Sequence, residues 1–235
     1  MLVIEKDFDR LALLDAEGWT HNNHYHKFLL QHIPRASHQV LEIGCGTGAF
    51  LRRLAGHSQH VTAVDLSSEM IRVARARCVE YRNVDFQVAD AIEYLERLSE
   101  HQPGFDCIVT IATLHHLPLS RAIPIIKERL KPGGLLFILD LFEPQRNLLK
   151  PAGMLDAVLN LAAIAVSGSL RLIHNGRLKP PPEVRAAWAE HGKTDSYQTM
   201  REVRGMCDSL LPGARVRRHL LWRYSIEWQK PIRQD

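Results

Sequence analysis

The sequence predicts an α/β domain built on a doubly wound, mostly parallel sheet, and three observations carry that expectation. A short apolar run, Val40, Leu41 and Ile43, stops at Gly44, Gly46 and Gly48, after which Phe50, Leu51 and Leu54 recur at helical spacing. Similar apolar runs then alternate with helical patterns as far as Asp140. Two β-like runs lie between Ala214 and Gln229, separated near Trp222. Strand, glycine turn and helix form the first half of a nucleotide-binding βαβ unit. The glycines admit backbone angles closed to other residues and let a ligand lie against the main chain.

The remaining elements follow in order. Phe8, Leu11 and Leu14, then Tyr25, Phe28, Leu29 and Ile33, predict two short helices broken near Gly18 and ended at Pro34. Val61–Asp65 reads as the second strand, and Ser67-Ser-Glu-Met70 opens a helix with a capping hydroxyl and an acid in its first turn. Val84–Asp90 is the third strand, with Val84, Phe86 and Val88 on one face. Phe105–Ala112 is the fourth, entered through a Pro103-Gly104 turn. A helix from about Ser120 to Leu130 leads through Lys131-Pro-Gly-Gly134 into a fifth strand, Leu135–Asp140. Residues 143–210 break the alternation with helices over Met154–Val166, Glu183–Glu190 and Thr199–Leu210, the triple proline 180–182 marking a stiff link.

A chain of 235 residues is expected to form one domain, and its 46% hydrophobic share is ordinary for a soluble protein. No secretory signal is expected, because Met1 is followed by Glu5, Asp7 and Asp9. No membrane span is expected either, since Met154–Val166 is short and carries Asp156 and Asn160. Cys45, Cys78, Cys107 and Cys207 stand far apart, which suits a reducing cytoplasm better than a disulfide framework or a metal site. The net charge of +4 neither demands nor forbids an anionic partner. Oligomeric state is not legible.

Gly44, Gly46 and Ala49 also satisfy the dinucleotide pattern G-x-G-x-x-A, so the turn by itself leaves the ligand open. Glu42 adds information: a carboxylate inside a buried strand is costly unless it meets a hydrogen-bonding partner. Asp65 lies about twenty residues beyond the glycines, where a βαβ unit binds ribose hydroxyls, and any adenosine cofactor would use it. With Leu41-Glu-Ile-Gly-Cys-Gly-Thr-Gly48, Asp65-Leu-Ser-Ser-Glu-Met70, the Val88-Ala-Asp-Ala91 segment and Leu130-Lys-Pro-Gly-Gly134 in this order, the chain closely resembles the class I S-adenosylmethionine (SAM) methyltransferases. The resemblance covers Leu41–Asp140 well, the final hairpin fairly and the rest in outline.

That resemblance implies a Rossmann-like, seven-stranded sheet closed by an antiparallel hairpin and covered by a helical lid. It divides the single domain into a lid (1–39), a cofactor-binding core (40–142), a helical substrate cover (143–212) and the hairpin (213–235). It implies SAM as cofactor and S-adenosylhomocysteine as product. Glu42, Gly44, Cys45, Gly46 and Gly48 would hold the methionine portion, Asp65 the ribose, Leu66 and Asp90 with Ala91 the adenine, and Met70 would also border the cofactor. A carbonyl near Thr110 or Ile111 would reach the cofactor's amino group. Tyr25 and His26 would face the acceptor.

For catalysis, His115 and His116 in Thr113-Leu-His-His-Leu-Pro118 are candidate bases, with His26 a third; the bland reading, in which one of the first two caps the following helix or hydrogen-bonds structurally, outweighs the base role. The histidine-rich segment Trp19–His26 lacks a carboxylate or an H-E-x-x-H frame, so no metal is expected; a solvated face and an active-site lid both fit it. The expected activity is methyl transfer to oxygen, nitrogen or carbon of a small, hydrophobic or aromatic acceptor in the cytoplasm. The alternatives are a nicotinamide-dependent oxidoreductase, which leaves Asp90 and the hairpin unexplained, a nucleic-acid methyltransferase, and a non-catalytic SAM-binding protein. Arg201, Arg204, Arg215, Arg217 and Arg218 could line a nucleic-acid channel, but no stacking module or N-P-P-Y motif accompanies them, so nucleic acid is an unexpected partner.

Overall fold

A computed structural model describes every residue except 1, 16, 36, 100–103, 146, 148, 194 and 233–235, and the side chains of 2 and 3. The Pro103 half of the expected Pro103-Gly104 turn therefore lies outside the described residues. Seven strands form one sheet in the order β3-β2-β1-β4-β5-β7-β6. They are β1 (Gln39–Ile43), β2 (His60–Asp65), β3 (Val84–Val88), β4 (Phe105–Ile111), β5 (Leu130–Leu141), β6 (Arg215–Arg218) and β7 (Arg223–Gln229). The first five are parallel, and β7 pairs antiparallel with β5 and β6. The expected fold, a Rossmann-like and mostly parallel sheet with a closing antiparallel hairpin, is the one observed.

Helices cover both faces, which explains why the central strands are apolar throughout instead of alternating with polar residues. On one face Val40, Val109, Phe137 and Leu139 pack with Leu29, Leu51 and Leu54. On the other, Leu41, Ile108, Leu136 and Ile138 pack with Ile123, Ile126 and Val203. The chain runs outward from β1 to β3 and then returns to lay β4 against β1. The carboxyl ends of β1 and β4 therefore flank the point where strand order reverses, the place where open α/β sheets bind ligands.

The helices are α1 (Leu2–Leu14), α2 (His26–His32), α3 (Leu51–Ala55), α4 (Ser68–Arg77), α5 (Ala91–Arg97), α6 (Leu119–Arg129), α7 (Pro151–Asn175), α8 (Pro182–His191) and α9 (Met200–Leu210). Ser67 caps α4 through its side chain, as expected. Thr199 and Glu202 form a reciprocal capping box at the start of α9, matching the expected boundary. α5 completes the third βα unit and was not singled out by periodicity.

Three readings change. α7 extends well beyond the expected Met154–Val166, from a proline in its first turn to Gly176, whose φ of 67° makes it a left-handed cap. Pro182 begins α8, so the triple proline is only partly a linker. The segment Trp19–His26 is no solvated face: Trp19, Tyr25 and His26 are buried, and His21 bonds the Ser167 hydroxyl of α7. Val88 ends the edge strand β3 and is 53% exposed.

Candidate functional site

The glycine turn leaves β1 with both the Gly44 and Cys45 N–H groups donating to the Val64 carbonyl at 2.8 and 3.2 Å. Gly44 has φ +70°, and a Cβ there would stand 2.1 Å from Thr113 Oγ1, so the close approach of the β4 loop admits only glycine. Gly46 has φ +52° and the opposite surroundings: nothing lies within 4 Å of the position a Cβ would take. The turn is thus sealed behind by Thr113 and open in front at Gly46. Gly48 packs beneath Ala74 of α4, and the Cys45 thiol is buried, with burial raising its pKa well above the ordinary value.

Glu42 stands behind this opening at 2% exposure, and its Oε2 has no hydrogen-bond partner among the described residues. Burial, and then the neighbouring Asp65 charge, push its carboxyl well above the usual range. An orphaned buried carboxylate beside an open glycine turn fits a cationic or hydrogen-bond-donating ligand group such as an α-amino group. Asp65 ends β2; its Oδ2 accepts from the Gly46 N–H at 2.8 Å and its Oδ1 from the Ser67 N–H at 2.9 Å. Each oxygen keeps a further acceptor direction for a ribose hydroxyl. Burial raises its pKa, and the two N–H groups oppose that shift.

Leu66 is half-buried, and Met70 is buried against Leu11, Ala12 and Ala187. Asp90 caps α5, its Oδ1 accepting from Ile92 N–H at 2.9 Å and Glu93 N–H at 3.0 Å, with Ala91 opening the helix. Thr110 is buried with its hydroxyl unpartnered, and the Ile111 carbonyl accepts from Thr113 Oγ1 at 3.0 Å.

A second constellation lies along β4, β5 and the segment after α8. Asp140, fully buried in β5, binds His115 twice: Oδ1 meets Nδ1 at 2.7 Å and Oδ2 accepts the backbone N–H at 3.0 Å. With Nδ1–H donated to a carboxylate, the lone pair of His115 sits on Nε2. His115 also lines a cleft of about 160 Å³ with Leu114, Leu117, Leu141, Ser196 and Tyr224. His116 packs against His115 at 3.9 Å between ring centroids with the planes tilted by 46°, and its Nδ1 lies 3.6 Å from Asp195 Oδ1. Burial, then the His115 charge, lower the His116 pKa to about 4 against the pull of Asp195. Tyr197 donates its hydroxyl to Asp195 Oδ2 at 2.7 Å. His115, His116 and Asp195 each offer a ligand atom within 4.8 Å of the others, a grouping of metal-binding type that sequence spacing did not suggest.

α1 joins the two constellations through adjacent residues. Asp9 accepts from the Ser67 hydroxyl at 2.6 Å, while the Phe8 ring packs edge-on to His116 at 5.4 Å and against His191 at 4.8 Å. Further along, Asp15 accepts from the Thr47 hydroxyl and from Arg77, both at 2.6 Å. The other N-terminal candidates lie elsewhere. The Tyr25 hydroxyl donates to the Leu220 carbonyl at 2.6 Å, and burial raises its pKa to about 12. His26 is 3% exposed against Phe50, with burial lowering its pKa to about 3. Phe8, Asp9, Asp15, Asp140, Asp195 and Tyr197 were not anticipated; apart from the local Tyr197–Asp195 bond their partners are remote in sequence, and only the apolar strand carrying Asp140 offered a signal.

Residues 40–134 match a family model described as a methyltransferase domain. An uncharacterized methyltransferase of Mycobacterium tuberculosis (strain H37Rv) is 27% identical over 226 residues, covering 92% of this chain and 99% of the relative. A ubiquinone biosynthesis O-methyltransferase of Xylella fastidiosa (strain 9a5c) is 33% identical over 170 residues, covering 70% of this chain and 63% of the relative. Among solved structures, a chain from the complex between the Haloferax volcanii Trm112 methyltransferase activator and a putative methyltransferase covers 99% of both chains at a TM-score of 0.65 and 16% identity. The N-methyltransferase NodS of Bradyrhizobium japonicum WM9, in complex with S-adenosylhomocysteine, covers 97% of this chain and 98% of its own at a TM-score of 0.56 and 18% identity. The two structural likenesses establish the shared fold.

Proposed function

The chain belongs to the class I SAM-dependent methyltransferases, and from that premise we propose that it methylates a hydroxyl oxygen of a small, hydrophobic or aromatic acceptor. The enzyme uses SAM, which supplies an electrophilic methyl group on a sulfonium when bound. Glu42 and the turn Gly44–Gly48 would hold the methionine end, Asp65 the ribose, Leu66, Asp90 and Ala91 the adenine with Met70 beside the cofactor, and the β4 end at Thr110 and Ile111 the amino group. The open front of Gly46 and the orphaned Glu42 oxygen support this assignment. The nicotinamide alternative is set aside with the family.

The observation that carries the choice of oxygen is the His115–Asp140 pair. A neutral imidazole with Nδ1 fixed by a buried carboxylate presents Nε2 as a base beside a cleft of mixed lining, leucines on one hand and Ser196, Gln198 and Tyr224 on the other. Nε2 would take the proton of the acceptor hydroxyl as its oxygen bonds the methyl carbon, the S–CH3 bond of bound SAM breaking to leave S-adenosylhomocysteine, and Asp140 would stabilise the imidazolium. His116, with its pKa near 4, stays neutral and adds no second charge to the pair. α1 acts as the lid: Phe8 excludes water above His116 while Asp9 and Asp15 hold the helix to the cofactor side. A hydroxyl acceptor also agrees with the O-methyltransferase named in Xylella fastidiosa. The four cysteines, all buried and unpaired, support a reducing cytoplasm.

The test is a screen of phenols and aliphatic alcohols with the purified protein and SAM, followed by His115→Ala on the best acceptor. A loss of about 10²–10⁴ in kcat with SAM affinity unchanged is expected. Turnover undiminished in His115→Ala would remove the base, and methylation confined to amines or carbon acids would remove the oxygen.

A further inference from the structure

We propose that α7 lies flat on an anionic lipid surface and docks the enzyme there, a property independent of which acceptor is methylated. Of the fourteen exposed large apolar residues among those described, nine fall between Leu149 and Leu178. Met154, Val158 and Leu161 follow at four- and three-residue intervals, Leu172 returns to the same side eleven residues or three turns later, and all four are 52–68% exposed, so they mark one outer side of the helix. No charged side chain occurs between Asp156 and Arg171. A stripe this long on a helix of about 37 Å is far more than scattered surface apolarity.

By length and composition α7 could cross a membrane, but its inner side forbids that. Arg218 pairs with Asp156, and Trp222 Nε1 donates to Asn160 at 2.8 Å. His21 meets the Ser167 hydroxyl at 2.7 Å, and Asn175 bonds both backbone groups of Trp19 at 2.8 and 3.0 Å. These polar ties occur from the first turn to the last and fix the helix to the hairpin and the Trp19–His26 segment. A helix held along one side and apolar along the other has the form of an interfacial anchor.

Charge selects the partner. Between Leu149 and Lys179 the exposed cations are Lys150, Arg177 and Lys179, with Arg171 half-buried over the Trp19 ring at 5.7 Å, while the single acid, Asp156, points inward and is paired. An isologous contact between two copies would set one cationic fringe against another with no acid to answer it. A bilayer carrying anionic headgroups meets both the apolar stripe and its fringe.

The full-length protein is mixed with sucrose-loaded vesicles of phosphatidylcholine alone or with one part in four phosphatidylglycerol, and pelleted. Wild type is expected to partition into the anionic vesicles at least about tenfold more strongly than into the neutral ones. Val158→Asp/Leu161→Asp is expected to abolish binding. Arg177→Gln/Lys179→Gln is expected to cut binding to anionic vesicles about tenfold or more, and all four positions are outward-facing or exposed, so an unchanged circular dichroism melt verifies folding. Wild type that stays in the supernatant with both vesicles would overturn the proposal, as would binding undiminished in the aspartate variant. Light scattering that shows a dimer broken by the aspartate pair, without vesicle binding, would assign the stripe to self-association instead.

Discussion

The two halves of the site are made of different material. On the proposed cofactor side, from β1 to β3, the parts are a glycine turn, strand-end acids and backbone N–H groups, and their partners are never far from the strand ends. On the acceptor side, the working parts are side chains paired across long stretches of chain: His115 with Asp140, His116 with Asp195, Phe8 with both His116 and His191. The first half is specified by where the main chain turns. The second depends on several elements reaching their final packing together. Damage to the first should therefore remove binding, and damage to the second should remove turnover while binding persists.

The largest effect is expected from Gly44→Val. Its Cβ would collide with Thr113, and a β-branched residue at φ +70° is strained besides, so the turn must deform. A loss of SAM affinity beyond about 100-fold, with roughly 2–4 kcal/mol of stability, is expected by calorimetry and denaturant unfolding. Next comes Asp140→Asn, which disturbs the tautomer and orientation of His115. A fall of about 10²–10⁴ in kcat with SAM binding within about threefold of wild type is expected, and equal loss of both would erase the proposed division.

A smaller effect, but a sharper comparison, comes from pH, to which the two halves respond with opposite sign. Burial raises the Glu42 pKa in the folded state, so the folded protein binds the extra proton and stability falls as pH rises above the ordinary glutamate value. Glu42→Gln should therefore be more stable than wild type at neutral pH in the absence of SAM, yet bind SAM at least about tenfold more weakly. Burial lowers His116 to about 4, so below the unfolded histidine value of about 6.5 the unfolded chain takes up the proton first. Its contribution is full above about 6.5 and is lost progressively toward pH 4, at up to roughly 1.4 kcal/mol per pH unit. Melts of His116→Gln and Glu42→Gln from pH 8 to 5 should diverge from wild type in opposite directions; parallel curves would refute the assignment. The smallest effect is expected from Arg77→Ala, which loosens the Asp15 latch of α1 and should cost about 1 kcal/mol or less.

The same contrast explains what could be read in advance. Glu42, Gly44, Asp65 and Asp90 announced themselves because a breaker or an acid at the end of an apolar run has few reasons to be there. The topology followed from alternation, and β6–β7 from two late β-like runs. His115 was visible as a histidine at a strand end, but nothing local said that Asp140 would fix its tautomer rather than close a strand. Asp9 and Asp15 carry no local signal in the sequence, and their roles depend on where α1 comes to rest. The end of α7 was missed because Arg171 and His174 interrupt the apolar pattern, although Gly176 stands where a helix should stop.

β5 has a consequence for biosynthesis. This nearly all-apolar strand lies between β4, made just before it, and β7, which is made only after the entire helical cover: Leu141 pairs with Arg223 and Leu135 with Gln229. While α7, α8 and α9 emerge, β5 presents an open, apolar edge of the kind that recruits other chains. The helical cover is therefore an interval of risk during synthesis, when a nascent chain needs shielding until its last strand arrives.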